Sequence, residues 1–165
     1  MTQARPESVE GPTVITDAMR ATIGRESEPV TYEIDNLGCR QFARAVGYTA
    51  PIYYDEAHAK SKGYRGLVAP AGFLGHPIYD PTKPPRIPEA FRLDIPYKRI
   101  LNGGTDVEYF DDVCSGDVLS ASTKLTGLEE REGRMGPMLI VNIETTYRNQ
   151  QGKTVAIARG TAIRY

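Results

Sequence analysis

The last third of the chain alternates apolar and polar residues over four stretches, 104–110, 118–128, 138–147 and 154–165, each bounded by turn residues. A period of two sends successive side chains to opposite faces, so each stretch reads as a β-strand. In the third, Leu139, Val141, Ile143, Thr145 and Tyr147 share one face, while Ile140, Asn142, Glu144 and Thr146 share the other. The separators Ser115-Gly116-Asp117, residues 133–137 and Gln151-Gly152 are short, which predicts antiparallel neighbours in a meander. With the helical signals gathered ahead of these strands, the pattern predicts an α+β layer fold.

Those helical signals are brief. Ile15, Met19 and Ile23 recur every four positions up to Gly24, predicting a short amphipathic helix closed by a glycine cap. Val30-Thr-Tyr-Glu-Ile34 has strand character, and Asp35 or Asn36 can cap a following helix whose Cys39, Phe42, Ala43 and Val46 form one apolar stripe. Gly47 ends that helix. Asp55 opens a two-turn helix that stops at Gly63. Seven prolines between Ala69 and Pro96 forbid a long regular element, so this segment is expected to be irregular and able to line a pocket.

At 165 residues the chain fits one well-buried domain, expected over 13–165, behind a polar, flexible start at 1–12. Twenty Lys and Arg interspersed with 21 Asp and Glu create no field that would gather phosphate backbones or anionic lipid, so no nucleic-acid or membrane partner is expected. No apolar run approaches the roughly 20 residues that span a bilayer, and no secretory pattern opens the sequence, which predicts a soluble, cytoplasmic protein. Cys39 and Cys114 lack metal-ligand spacing and read as buried thiols; no metal or cofactor is expected.

Isolated candidates have ordinary explanations beside functional ones. His58 sits between alanines inside the short helix and reads as a packed or solvated histidine. His76, followed by Pro77 in the pocket-forming segment, is the better candidate for substrate contact. Gly103-Gly104 lacks any phosphate-loop pattern and marks a bend at a strand start. Glu129-Glu130-Arg131-Glu132-Gly133-Arg134 reads as a solvated hairpin tip. Lys98-Arg99 suits either phosphate contact or an exposed surface pair.

The loop 47–55 reads Gly-Tyr-Thr-Ala-Pro-Ile-Tyr-Tyr-Asp, and 63–72 reads Gly-Tyr-Arg-Gly-Leu-Val-Ala-Pro-Ala-Gly. Together with Cys114-Ser-Gly-Asp117-Val-Leu119 and Asn149-Gln-Gln-Gly152-Lys-Thr-Val155, they resemble the hot-dog-fold MaoC-like dehydratases, in the branch related to the dehydratase domain of type I fatty acid synthases. The resemblance covers most of the chain and implies one long antiparallel sheet wrapped around helical and irregular segments. Active members of that family carry S-G-D-x-N-P-x-H-x-D. Here Val46 stands for the serine, Gly47 for the glycine, Tyr48 for the catalytic Asp, Ala50 for the Asn, Pro51 for the Pro and Tyr53 for the catalytic His, while Asp55 keeps the final acid. Gly63-Tyr64 and Val68-Ala69 match the family's G-F and I-A pairs, but Pro70 and Ala71 replace the His-Gly that opens its central helix.

Adding water across an α,β-unsaturated thioester needs one group to take a proton from water and another to deliver one to the α-carbon. A tyrosine with an ordinary pKa of about 10 is a poor base at pH 7. The resemblance therefore implies a chain with no catalytic residue of its own. Its expected role is the substrate-binding subunit of a heteromeric enoyl-CoA hydratase, a heterodimer or heterotetramer in which a catalytic MaoC-like hot-dog subunit supplies the Asp and His. Tyr48, Tyr53, Tyr54, Pro70, Gly72, Phe73 and His76 are the expected contacts to an acyl-CoA or an acyl carrier protein thioester. The three tyrosines serve equally well as half-buried packing residues. Two other readings stay open: a homodimeric hydratase or thioesterase using His76, Asp55 or a tyrosine, and an acyl-CoA-binding module without enzymatic role.

Overall fold

The computed structural model describes residues 13–78, 81–82, 92–134 and 136–165. The expected flexible start at 1–12 and the Pro84-Pro85 pair lie outside the described residues. Three short helices, α1 (Asp17–Arg20), α2 (Asn36–Ala45) and α3 (Glu56–Ser61), accompany six strands. The strands are β1 (Val30–Glu33), β2 (His76–Pro77), β3 (Ile100–Tyr109), β4 (Val118–Gly133), β5 (Gly136–Arg148) and β6 (Thr154–Arg164). They form one antiparallel sheet in the order β2-β1-β4-β5-β6-β3, which gives the expected α+β class.

The meander needs correction at one step. β3 does not pair with β4 despite the short Ser115-Gly116-Asp117 separator; it pairs with β6 at the far edge, from Ile100↔Arg164 to Tyr109↔Ala156. β4 has only two edges, and β5 takes one while β1 takes the other through Val30↔Ala121 to Glu33↔Val118. The β4 and β5 strands also run further than their alternation suggests, so the charged run 129–132 belongs to β4 and the hairpin closes at Gly133↔Gly136. β3 begins at Ile100, and its register shifts between Asn102 and Gly104, where the glycine pair was expected to bend the strand.

The first helix is shorter than its apolar spacing predicts. Thr16 caps it by accepting from the Met19 amide, but after Arg20 the bonds tighten to Thr22 N–Met19 O and Ile23 N–Arg20 O. The Gly24 amide then donates to Leu125 O on β4 at 2.8 Å, which draws the chain off the helix axis and leaves Ile23 exposed. Asp35 and Asp55 cap α2 and α3 as expected, their carboxylates accepting from the Gly38 and His58 amides at 2.8 and 3.0 Å.

Side chains on one face of the sheet bury against these elements in two clusters. Cys39 and Phe42 of α2, with Ile34, Leu67, Phe73 and Leu74, pack on Leu119, Val155, Ala156 and Tyr147. Ile15 and Met19 pack on Leu125, Leu139 and Val141. In α2, Cys39 and Ala43 are fully buried, whereas Val46, predicted to share their stripe, is exposed at the helix end. The two thiols are free and buried; burial pushes Cys39 up to about 12 and raises Cys114 as well.

Candidate functional site

The loop 47–55 is built by its backbone. Gly47 takes φ +78°, a conformation L-residues avoid, and turns the chain off the end of α2. The Tyr48 amide still bonds back to Ala43 O at 2.9 Å. Pro51 then starts a single 3₁₀ turn, Pro51–Tyr53, and its carbonyl accepts the Asp55 amide at 2.8 Å. The Val68 amide donates to Ile52 O at 3.1 Å, which joins the loop to the strip 63–69.

Two aromatic rings stand at the positions that the resemblance aligns with the family's acid and base. Tyr48 and Tyr53 stack with centroids 5.5 Å apart at 30°. Tyr54 turns its hydroxyl back to donate to Tyr48 O at 2.6 Å, and Arg40 Nε donates to Tyr54 O at 3.2 Å. Burial, then the neighbouring phenols Tyr48 and Tyr64, raise the Tyr53 hydroxyl above its ordinary value. It is therefore protonated at neutral pH and can donate a hydrogen bond but cannot act as a base.

Tyr109, which no motif singled out, completes this group from β3. Its hydroxyl accepts the Gly72 amide at 2.8 Å, and burial, opposed by that bond and reinforced by Tyr48, raises its pKa. A long-range contact between an edge strand and a glycine 37 positions earlier leaves no local pattern to read.

The other expected contacts divide. Pro70 and Phe73 are buried in this chain's own core, Phe73 tilted against Phe42 at 5.6 Å. Gly72, with φ +93°, has its amide held by Tyr109. His76 lies near the other end of α2: its ring packs edge-on against Phe73 at 5.2 Å and Nε2 sits 3.9 Å from Asp35 Oδ2. Ten helical residues span about 15 Å, so this histidine and the loop tyrosines do not converge on one point. A side chain at Gly38 would strike Phe73 Cζ at 2.5 Å and His76 Nε2 at 2.9 Å, so the glycine is what lets the segment 73–76 lie against α2. His58 lies on α3, where its backbone amide donates to the Asp55 cap. Among the described residues no group of three or more His, Cys, Asp or Glu side chains could hold a metal ion, and no helix is long and apolar enough to cross a membrane.

The strip 63–69 is fixed by a second acid. Asp117, buried, accepts from Arg65 Nη2 at 2.7 Å and from the Cys114 amide at 2.8 Å. Ser115 donates its amide to Leu67 O and accepts the Leu67 amide on Oγ, at 2.8 and 2.9 Å. Ser115-Gly116-Asp117 is thus a structural turn, as its lack of an N-P-x-H continuation predicts.

Residues 21–158 match the model of the FAS1-like dehydratase domain region. A UPF0336 protein of Saccharopolyspora erythraea is 30% identical over 148 residues, covering 85% of this chain and 90% of that protein. A probable enoyl-CoA hydratase alpha subunit of Thermomonospora curvata is 27% identical over 138 residues, 76% of this chain and 43% of that protein. Among solved structures, a chain of the C-terminally truncated HadBC complex, a 3R-hydroxyacyl-ACP dehydratase of Mycobacterium tuberculosis, superposes with a TM-score of 0.67 at 25% identity, covering 86% of this chain and 96% of that one. A chain of the ChsH1-ChsH2 complex from the same organism gives 0.66 at 20% identity, over 90% and 87%. The antiparallel sheet curled over α2 is that of a hot-dog protein, and the chain belongs to the FAS1-like dehydratase region family.

Proposed function

We propose that this chain is the substrate-binding, non-catalytic subunit of a cytoplasmic heteromeric enoyl-thioester hydratase, folded as one hot-dog domain, whose partner subunit brings the Asp and His. The observation that carries the reading is the Tyr48–Tyr53 stack, standing where the resemblance puts the acid and base, with the Tyr53 phenol held protonated. The only acid retained in the loop, Asp55, is engaged in capping α3. Hydration would need a proton acceptor that this loop lacks, whereas its aromatic surface suits the apolar flank of an acyl chain. Two of the similar structures are complexes of more than one kind of chain, which supports a hot-dog partner.

The test is co-purification with a MaoC-like chain of the same genome that carries an intact D-x-N-P-x-H loop. Hydration of crotonyl-CoA or its carrier-protein thioester is expected from the pair and not from this chain alone. Failure to associate, or hydration by this chain alone at a rate typical of the family, overturns the reading. Tight acyl-CoA binding with an inactive pair would point to a binding module instead. One observation bears on a self-sufficient enzyme: Asp35 Oδ2 lies 3.9 Å from His76 Nε2, a neighbouring carboxylate beyond hydrogen-bond reach. Activity of the chain alone that vanishes in His76→Ala would establish that alternative.

A further inference from the structure

The outer face of the sheet carries a row of charge that crosses it in register. Glu26 bridges to Lys124 on β4, Lys124 faces Glu144 on β5, Glu144 faces Arg159 on β6, and Arg159 faces Asp106 on β3. The sign alternates at every step. Lys124 Nζ lies 2.9 Å from Glu144 Oε1, and Arg159 Nε lies 3.0 Å from Glu144 Oε2. Opposite charges across neighbouring strands favour their pairing, and like charges oppose it.

The row stops at Asp106 because β3 is the last described strand on that side of the sheet. Arg159 spends its Nη1 on Glu108 Oε2 at 3.0 Å, so Asp106 has no ion pair among the described residues. Both acids are exposed, and the strand that carries them presents backbone groups to which no described strand pairs.

We infer that the β3 edge selects a partner strand with a lysine or arginine facing Asp106, and disfavours a second copy of this chain. The inference rests on the heteromeric reading above and adds the chemistry of the contact. Two β3 strands related by a two-fold keep their outer faces on one side. Registers centred on Asp106, Val107 or Glu108 then set Asp106 against Asp106, Asp106 against Glu108, or Glu108 against Glu108. A cation supplied by a different chain extends the alternation by one strand.

The test uses the full chain and a copy carrying Asp106→Lys and Glu108→Lys, with Asp106→Lys alone as a milder second variant, each checked for folding by circular dichroism. In sedimentation at low salt, an equimolar mixture of wild-type and charge-reversed chains should associate about tenfold more tightly than either alone, with the gap closing as salt rises. If the double variant does not fold, Asp106→Lys alone still removes the Asp106 repulsion, so it should associate with itself or with the wild type more tightly than wild-type chains associate with each other. Equal association in all three samples, no association in any, or a gain that salt does not touch overturns the inference. So does a hydratase partner that binds wild-type and charge-reversed chains equally, a result that would leave the heteromeric reading standing. Failure to find any hot-dog partner would remove that reading, and the mixing experiment would still decide the charge rule.

Discussion

The loop 47–55 and the turn 114–117 each hinge on a positive-φ glycine, Gly47 at +78° and Gly116 at +92°, and each hydrogen-bonds the strip 63–69. Their side chains have gone opposite ways. The turn keeps a buried carboxylate, Asp117, committed to an arginine and a backbone amide. The loop keeps its backbone and its helix cap but holds phenols where the resemblance puts the acid and base. Asp55 and Asp117 are both held by backbone donors, and a loop of phenols is what the proposed non-catalytic role calls for.

The comparison breaks most visibly at Asp117. Asp117→Ala strands the Cys114 amide and the Arg65 guanidinium and should cost about 3 kcal/mol in denaturant unfolding, the lower end for a buried pair because Arg65 is half in solvent. A loss under about 1 kcal/mol would show that the turn needs its acid no more than the loop does.

A smaller effect separates the two buried thiols, Cys39 on the helix that leads into the loop and Cys114 in the turn. Cys39 holds its proton to about 12 in the folded chain against 9.0 when free, so the folded state binds a proton that the unfolded state releases. Stability is unaffected below the free value and falls as pH rises from about 9 toward 12, by about 1 to 2 kcal/mol at pH 10. Urea titrations across this range should show a shallower alkaline decline in Cys39→Ala, with the remainder, from Cys114 and the raised tyrosines Tyr53, Tyr109 and Tyr147, running in the same direction. An unchanged decline would place the titrating group elsewhere.

The smallest effect belongs to the loop. Tyr54→Phe removes the bond to Tyr48 O at an exposed site and should cost about 0.5 kcal/mol. A loss several times larger would mean that this hydroxyl holds the loop as firmly as Asp117 holds the turn.

What the sequence made legible was local. Asp35 and Asp55 announce their helices because a cap acts three residues away, and the alternation of 138–147 names its faces because a strand has a period of two. Separator length failed for β3, since a short connection limits reach without saying which edge of β4 is vacant. Arg65 and Asp117 are 52 positions apart, and Tyr109 meets Gly72 only once β3 is in place, so neither contact left a mark in spacing. The loop's residue types were readable directly. Its geometry, with Tyr54 folded back and His76 at the far end of α2, was not.

The placement of β3 also sets an order of events during synthesis. Among the described strands β3 pairs with β6, which follows β4 and β5 in the chain, so a chain emerging from the ribosome carries residues 100–109 with no neighbour while β4 and β5 can already form their hairpin. The edge facing outward in the finished molecule is thus the last to gain support from within, and no partner can dock against a completed sheet until Thr154–Arg164 has been translated.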